Sequence, residues 1–139
     1  MKQLSLVIAF VLTTMATVAQ TINYQAVARD TNGDIIANAA IGVQFTIHQT
    51  TANGTVVYME THNTTTSTYG LFNLPLGGGA TTGTFSSIDW STTHFLEVSI
   101  DATGGTNYTS IGNSEFRAVP YAIYAGNSPA INPGTASNM

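Results

Sequence analysis

IGVQFTIH, residues 41–48, alternates without a break: Ile41, Val43, Phe45 and Ile47 fall on one side, and Gln44, Thr46 and His48 on the other. Successive side chains of a strand point to opposite faces, so a period of two predicts a half-buried β-strand with one face in the core and one in water. Immediately downstream, TTANG carries an Asn53-Gly54 pair and leads into TVVYMETH (55–62). Asn-Gly suits the positive φ angles of a tight hairpin turn, so these two segments are expected to pair antiparallel. The same signature recurs along the chain, in short runs rich in Val, Ile, Phe, Tyr and Thr bounded by Gly or Asn. INYQAVA (22–28) precedes the deciding strand, and HFLEVSID (94–101) sets Leu96, Val98 and Ile100 against Phe95, Glu97 and Ser99. YGLFNLPLG (69–77) puts Phe72, Leu74 and Leu76 on one face. Pro75 lies on its other face, and a residue without an N–H belongs at a sheet edge or strand end.

NYTSIG (107–112) and EFRAVPYAIYA (115–125) complete the series, the last with apolar residues on both faces. ATGGTN (102–107) suits a tight turn, whereas GGGATTGTFSSIDWSTT (77–93) is too long for one. Helix is expected only as a turn or two, around Ser86–Trp90 and Tyr121–Ala125. The fold class is therefore all-β, an antiparallel two-sheet β-sandwich of about seven strands. Phe45, Phe72 and Phe85 are expected in its core.

The two ends read differently. Lys2, the apolar run LSLVIAFVL (4–12) and small residues up to Ala19 have the form of a secretory signal peptide, residues 1–19, with cleavage before Gln20. The apolar run is shorter than the ~20 residues that span a bilayer, and with no cysteine in the chain a lipoprotein anchor is excluded. Residues 20–125 are expected to form one β-sandwich domain, and GNSPAINPGTASNM (126–139) a disordered tail or linker. After cleavage two cations, Arg29 and Arg117, face seven carboxylates, a net charge of −5. Such a surface has little with which to neutralise phosphates, so nucleic acid is not an expected partner, nor is membrane insertion expected after signal cleavage. An exported chain without cysteine relies on its core or on partners for stability. The expected location is secreted, extracellular or at the cell surface.

ARDTNGDIIANAAIGVQFTI followed by TTTSTYGLFNLPLG resembles prealbumin-like modules, also seen as carboxypeptidase regulatory-like domains, over roughly residues 22–77. That likeness makes the expected layout prealbumin-like or Ig-like and says little about function. Some members of that class carry an internal lysine–asparagine isopeptide bond, which is chemically impossible here once Lys2, the only lysine, is removed. A longer resemblance runs over nearly all of residues 22–125. INYQAVARDTNGD, GLFNLPLG, GTFSSIDW, FLEVSIDATGGTNY and FRAVPYAIYA are similar to the N-terminal β-sandwich domain of secreted Bacteroidetes surface or fibre-type, adhesin-like proteins. In those proteins collagen-like repeats, tail-fibre-like segments or a sorting domain follow, and this chain departs from them there. The resemblance implies a non-catalytic structural or interaction module for anchoring, assembly or adhesion, with protein partners or self-association. A carbohydrate-binding or enzyme-accessory module, with a glycan partner, is the alternative.

Candidate chemistry is sparse. DTNGD (30–34) places Asp30, Asn32 and Asp34 at the first, third and fifth positions of a calcium loop. The EF-hand pattern then needs Gly and Glu where Ile35 and Ile41 stand, so it fails, leaving an Asn-Gly turn or a calcium site of another kind completed by a carboxylate such as Asp101. His48, His62 and His94 lack zinc-site spacing and, with Glu60, are expected to face solvent. No Gly-x-Ser-x-Gly turn frames a nucleophile, and the glycines 77–79 lack the Lys-Ser/Thr of a phosphate cradle and read as a flexible strand exit. Enzymatic activity is not expected. Trp90 and Tyr108 are the candidate ligand or partner contacts, because aromatic faces stack on sugars or fill a partner's pocket. Otherwise Trp90 plugs the end of the sandwich.

Overall fold

The computed structural model describes residues 21–117. The signal segment, the tail, the helical turn expected at 121–125 and most of the strand expected over 115–125 lie outside the described residues. Seven antiparallel strands form two sheets: β1 (Ile22–Val27), β2 (Ala40–Gln49), β3 (Thr55–Thr65), β4 (Leu71–Leu76), β5 (Ala80–Thr81), β6 (His94–Asp101) and β7 (Thr109–Glu115). One sheet has two strands, β1-β4, and the other has five in the order β5-β3-β2-β6-β7. A single 3-10 turn, Phe85–Ser87, falls within the long connection after β5. The expected seven-strand sandwich is present, with β5 not foreseen and β7 spanning the two segments read as separate strands.

The alternating stretch is the centre of the molecule. Ile41, Val43, Phe45 and Ile47 are each fully buried, and in register with β6 they meet Ile100, Val98 and Leu96. The smaller sheet supplies the lid. Phe72, Leu74 and Leu76 of β4 are buried, and Tyr24 of β1 meets Phe45 edge-on at 5.0 Å. Burying side chains of this size contributes about 1.5–3 kcal/mol each, so this inter-sheet layer sets the stability of the domain. Pro75 sits opposite Asn23 on β4, a strand paired on one side only among the described residues, as its missing N–H requires. The polar face of β2 is drier than alternation predicts, because Thr46 is 8% and His48 9% exposed between two neighbouring strands.

Local chemistry sets the crossings. At the end of the β3-to-β4 connection Gly70 adopts φ +74°, where an added Cβ would meet Ile35 Cγ2 at 2.5 Å. Glycine is the residue that reaches this left-handed region without strain. Its N–H donates to Ser67 O, while its carbonyl accepts from Ala28, tying the crossover to the end of β1.

Candidate functional site

DTNGD is a turn in its geometry. Asp30 Oδ1 accepts the N–H groups of Asn32 and Asp34, each at 2.9 Å, and Gly33 takes φ +89°. The Arg29 guanidinium donates to Gly33 O at 2.8 Å, and Arg29 bridges to Ile35 across the turn. Asp101 does line the same groove as Asp30. Its carboxylate is already occupied: Oδ1 accepts from the Thr103 amide and hydroxyl at 2.9 and 2.6 Å, and Oδ2 from the Asn107 amide at 2.8 Å. These bonds, the Thr103 hydroxyl foremost, hold its carboxyl below the usual aspartate range. Among the described residues no group of three or more His, Cys, Asp or Glu side chains is placed to hold a metal ion.

The solvent-facing placement of Glu60 and the histidines is corrected. Glu60 is 1% exposed, on the inward face of β3 opposite Phe45. Its carboxylate accepts from the Tyr58 hydroxyl at 2.6 Å and from the Gly77 amide at 3.0 Å on each oxygen. The Gly79 amide at 3.1 Å and His62 Nε2 at 2.9 Å complete the set. An unpaired buried charge is costly, and four converging donors offset that cost. The same contacts explain the glycine run. A Cβ on Gly79 would sit 2.5 Å from His62 Nε2, and Gly77 has φ +96°, so these glycines bring backbone N–H groups onto the carboxylate rather than making a flexible exit. Burial, then the hydrogen bond and charge of Glu60, pushes the Tyr58 phenol up to about 12. Sequence reasoning missed Tyr58, Gly77 and Gly79 as partners. The available signal was Tyr, Glu and His at i, i+2 and i+4 on a strand, which share one face.

The other histidines are also buried, for a geometric reason in each case. His48 Nδ1 faces Gly54 O at 3.0 Å and Nε2 faces Glu97 at 2.8 Å, so the ring clamps the hairpin turn to β6. This pairing leads the causes that hold the Glu97 carboxyl below its ordinary value. His94 is 2% exposed beneath Trp90; its Nδ1 donates to Thr92 O at 2.8 Å, and its Nε2 has no hydrogen-bond partner among the described residues.

Trp90 and Tyr108 do not form one surface. Trp90 is 44% exposed, with ring centroids 5.0 Å from His94, 5.3 Å from Phe116 and 5.8 Å from Phe85. It closes the end of the sandwich where β6 begins. Tyr108 is half-buried against Gly42, at the far end of β6, roughly 24 Å away along an eight-residue strand. Tyr69, 78% exposed, stands on the crossover before β4.

The longest fully exposed strand is β7. All seven of its residues are exposed, and among the described residues it pairs only with β6. Phe116 donates its N–H to His94 O. Because antiparallel N–H directions alternate, Ser114 and Gly112 also turn their N–H groups toward β6, whereas Asn113 and Glu115 turn theirs outward. No helix among the described residues is long and apolar enough to cross a membrane.

The fold and these sites define an all-β two-sheet domain whose buried polar groups fasten its own loops and whose exposed backbone lies along one sheet edge. The chain belongs to a family of domains of unknown function, DUF8740, whose family model matches residues 23–113. No curated protein matches it significantly.

Proposed function

We propose that this domain is a non-catalytic structural and interaction module of a secreted, cell-surface or fibre-type protein, and that it joins further copies of itself by strand addition at β7. The observation that carries this reading is the fully exposed β7 with outward N–H groups at Asn113 and Glu115. An open strand edge is a template for another strand, and main-chain hydrogen bonds supply affinity in such contacts. Proteins that must stay monomeric guard such edges with lysine, proline or bulges; TSIGNSE contains neither lysine nor proline, and its one bulge falls at Ile111, before Asn113 and Glu115. The signal-like segment 1–19 supports export.

The test is light scattering of residues 20–139 over a range of concentrations, beside the variant Glu115→Pro. Proline removes one outward N–H and leaves the β6 side of the ladder intact, so the variant stays folded and loses assembly. A mass constant at one chain for the unaltered protein overturns the proposal. The exposure of Trp90 favours a second reading, a carbohydrate-binding or accessory module. Glycan binding abolished by Trp90→Ala, without loss of fold, would select it.

A further inference from the structure

Two side chains grip the loop between β2 and β3, and they come from strands that β6 separates. His48 Nδ1, on β2, faces Gly54 O at 3.0 Å, and on β7 the Asn113 side-chain amide donates to Ala52 O at 2.7 Å. The two grips are linked through β6. Glu97, which meets His48 Nε2 at 2.8 Å, stands in register with Asn113. A closed circuit therefore runs over the face of the sheet turned away from β1 and β4, from His48 through Glu97 and Asn113 to the loop and back.

The circuit fixes the charge that His48 carries when it is closed. A carbonyl oxygen and a carboxylate both accept hydrogen bonds, whereas a neutral imidazole has one N–H and one lone pair. The imidazolium donates to both. With the ring neutral, one nitrogen turns a lone pair toward an oxygen, and either the loop or β6 is released. A proton on Glu97 would serve in its place, but the His48 contact leads the causes that hold that carboxyl below its ordinary value. His48 is 9% exposed, so water replaces a lost contact poorly. The neighbouring strands bring few charges. Glu115 of β7 lies opposite Phe95, the β6 partner of His48, with Arg117 at 3.6 Å from it. On β3 the partner of His48 is Val56, while Glu60 faces the interior.

We propose that protonation of His48 closes this clamp and, through the loop 50–54, fixes the Asn113 side chain on β7, so that the edge strand is set for pairing as pH falls through the His48 titration. This rests on the strand addition proposed above, because Asn113 carries one of its two outward N–H groups, and it gives that contact a regulator.

The test is a nitrogen-15 NMR titration of residues 20–139, at a concentration where light scattering gives a single chain, beside the variant His48→Gln. It runs from about pH 5.5 to about pH 8.5, where carboxylates stay ionised and phenols neutral. The expected result is that both ring nitrogens of His48 are protonated on the acid side, and that the Gly54 amide and the Asn113 side-chain amide shift with the same midpoint. In His48→Gln both amides stay flat across the window while His62 and His94 still titrate. Light scattering at higher concentration reads the consequence. The concentration of half-assembly rises about tenfold from the acid to the alkaline side, the factor for one hydrogen bond to a charged group, and is constant in His48→Gln. A His48 ring that titrates without moving Gly54 and Asn113 overturns the proposal. So do amide shifts that survive in His48→Gln, and so does half-assembly independent of pH in the unaltered chain. A single chain at every pH and concentration, with the three midpoints still shared, overturns strand addition and leaves the clamp standing.

Discussion

Removing the Glu60 carboxylate is the sharpest perturbation of the interior. It accepts from four groups, the Tyr58 hydroxyl, His62 Nε2 and the amides of Gly77 and Gly79. Hydrogen bonds to a charged group contribute about 1.5–3 kcal/mol each. The full sum overstates the loss, because Gly77, Gly79 and His62 are half-buried near the sheet edge and regain water when the loop shifts. Tyr58, 3% exposed, does not. Glu60→Ala is therefore expected to cost about 3–5 kcal/mol, the range for one partner lost from a buried charged network. Glu60→Gln, which keeps the shape but turns an NH2 toward donors, costs about 2–3 kcal/mol. Tyr58→Phe, which leaves the carboxylate three donors, costs about 1–2 kcal/mol. Urea unfolding followed by the fluorescence of Trp90, the single tryptophan, reads these differences. With a slope near 2 kcal/mol/M, the Ala variant shifts the midpoint by about 2 M. Ala and Gln variants both within ~0.5 kcal/mol of the parent would refute the reasoning, since surface substitutions behave that way.

Three further outcomes follow. The Tyr58 phenol is raised to about 12, so the stability it contributes is complete below the unfolded value near 10 and is lost as pH rises through the folded one. Asp101 and Glu97 are lowered, so their contribution is complete above about pH 4 and lost below it as each takes up a proton. Phenolate absorbance and melting temperature against pH check both limbs. Gly70→Ala is expected to cost about 2–4 kcal/mol, combining left-handed strain with overpacking, because the new Cβ meets Ile35 at 2.5 Å. Gly33→Ala, at φ +89° with nothing within 4 Å, costs only the strain, about 1–2 kcal/mol. Calcium is expected to leave the melting temperature unchanged, since Asp30 Oδ1 is committed to the turn amides, and a rise with calcium but not magnesium would contradict that assignment.

Legibility along the sequence divided by mechanism. The alternation over 41–48 reports local periodicity and appears as read; the hairpin expected after it also forms, but through a five-residue loop, Thr50–Gly54, whose positive φ falls at Thr50 (φ +73°) and not at Asn53-Gly54. β3 shows where periodicity fails. On that strand Val57 and Met59 are 36% and 38% exposed, while Tyr58 and Glu60 are buried, so hydropathy points to the wrong face. Register with β2 decides the matter: Tyr58 and Glu60 stand opposite Ile47 and Phe45, and a bulge between Ile47 and His48 absorbs Val57. A buried carboxylate becomes readable only when its donors are known, and two of them come from glycines seventeen and nineteen residues away. β5 was hidden for the same reason, since Ala80 and Thr81 are strand only because they pair with Thr61 and Glu60. Trp90 appeared as a loop aromatic of undecided role, and its contacts with Phe85, His94 and Phe116 come from three separate segments.

The most direct test of strand addition is residue-resolved amide exchange at Asn113 and Glu115, recorded on residues 20–139 from dilute to concentrated solution. The account predicts exchange that slows with concentration at these two outward N–H groups, in step with rising mass, while Gly112 and Ser114 stay protected throughout. Fast exchange at Asn113 and Glu115 at every concentration, or assembly that leaves both unprotected, would contradict it.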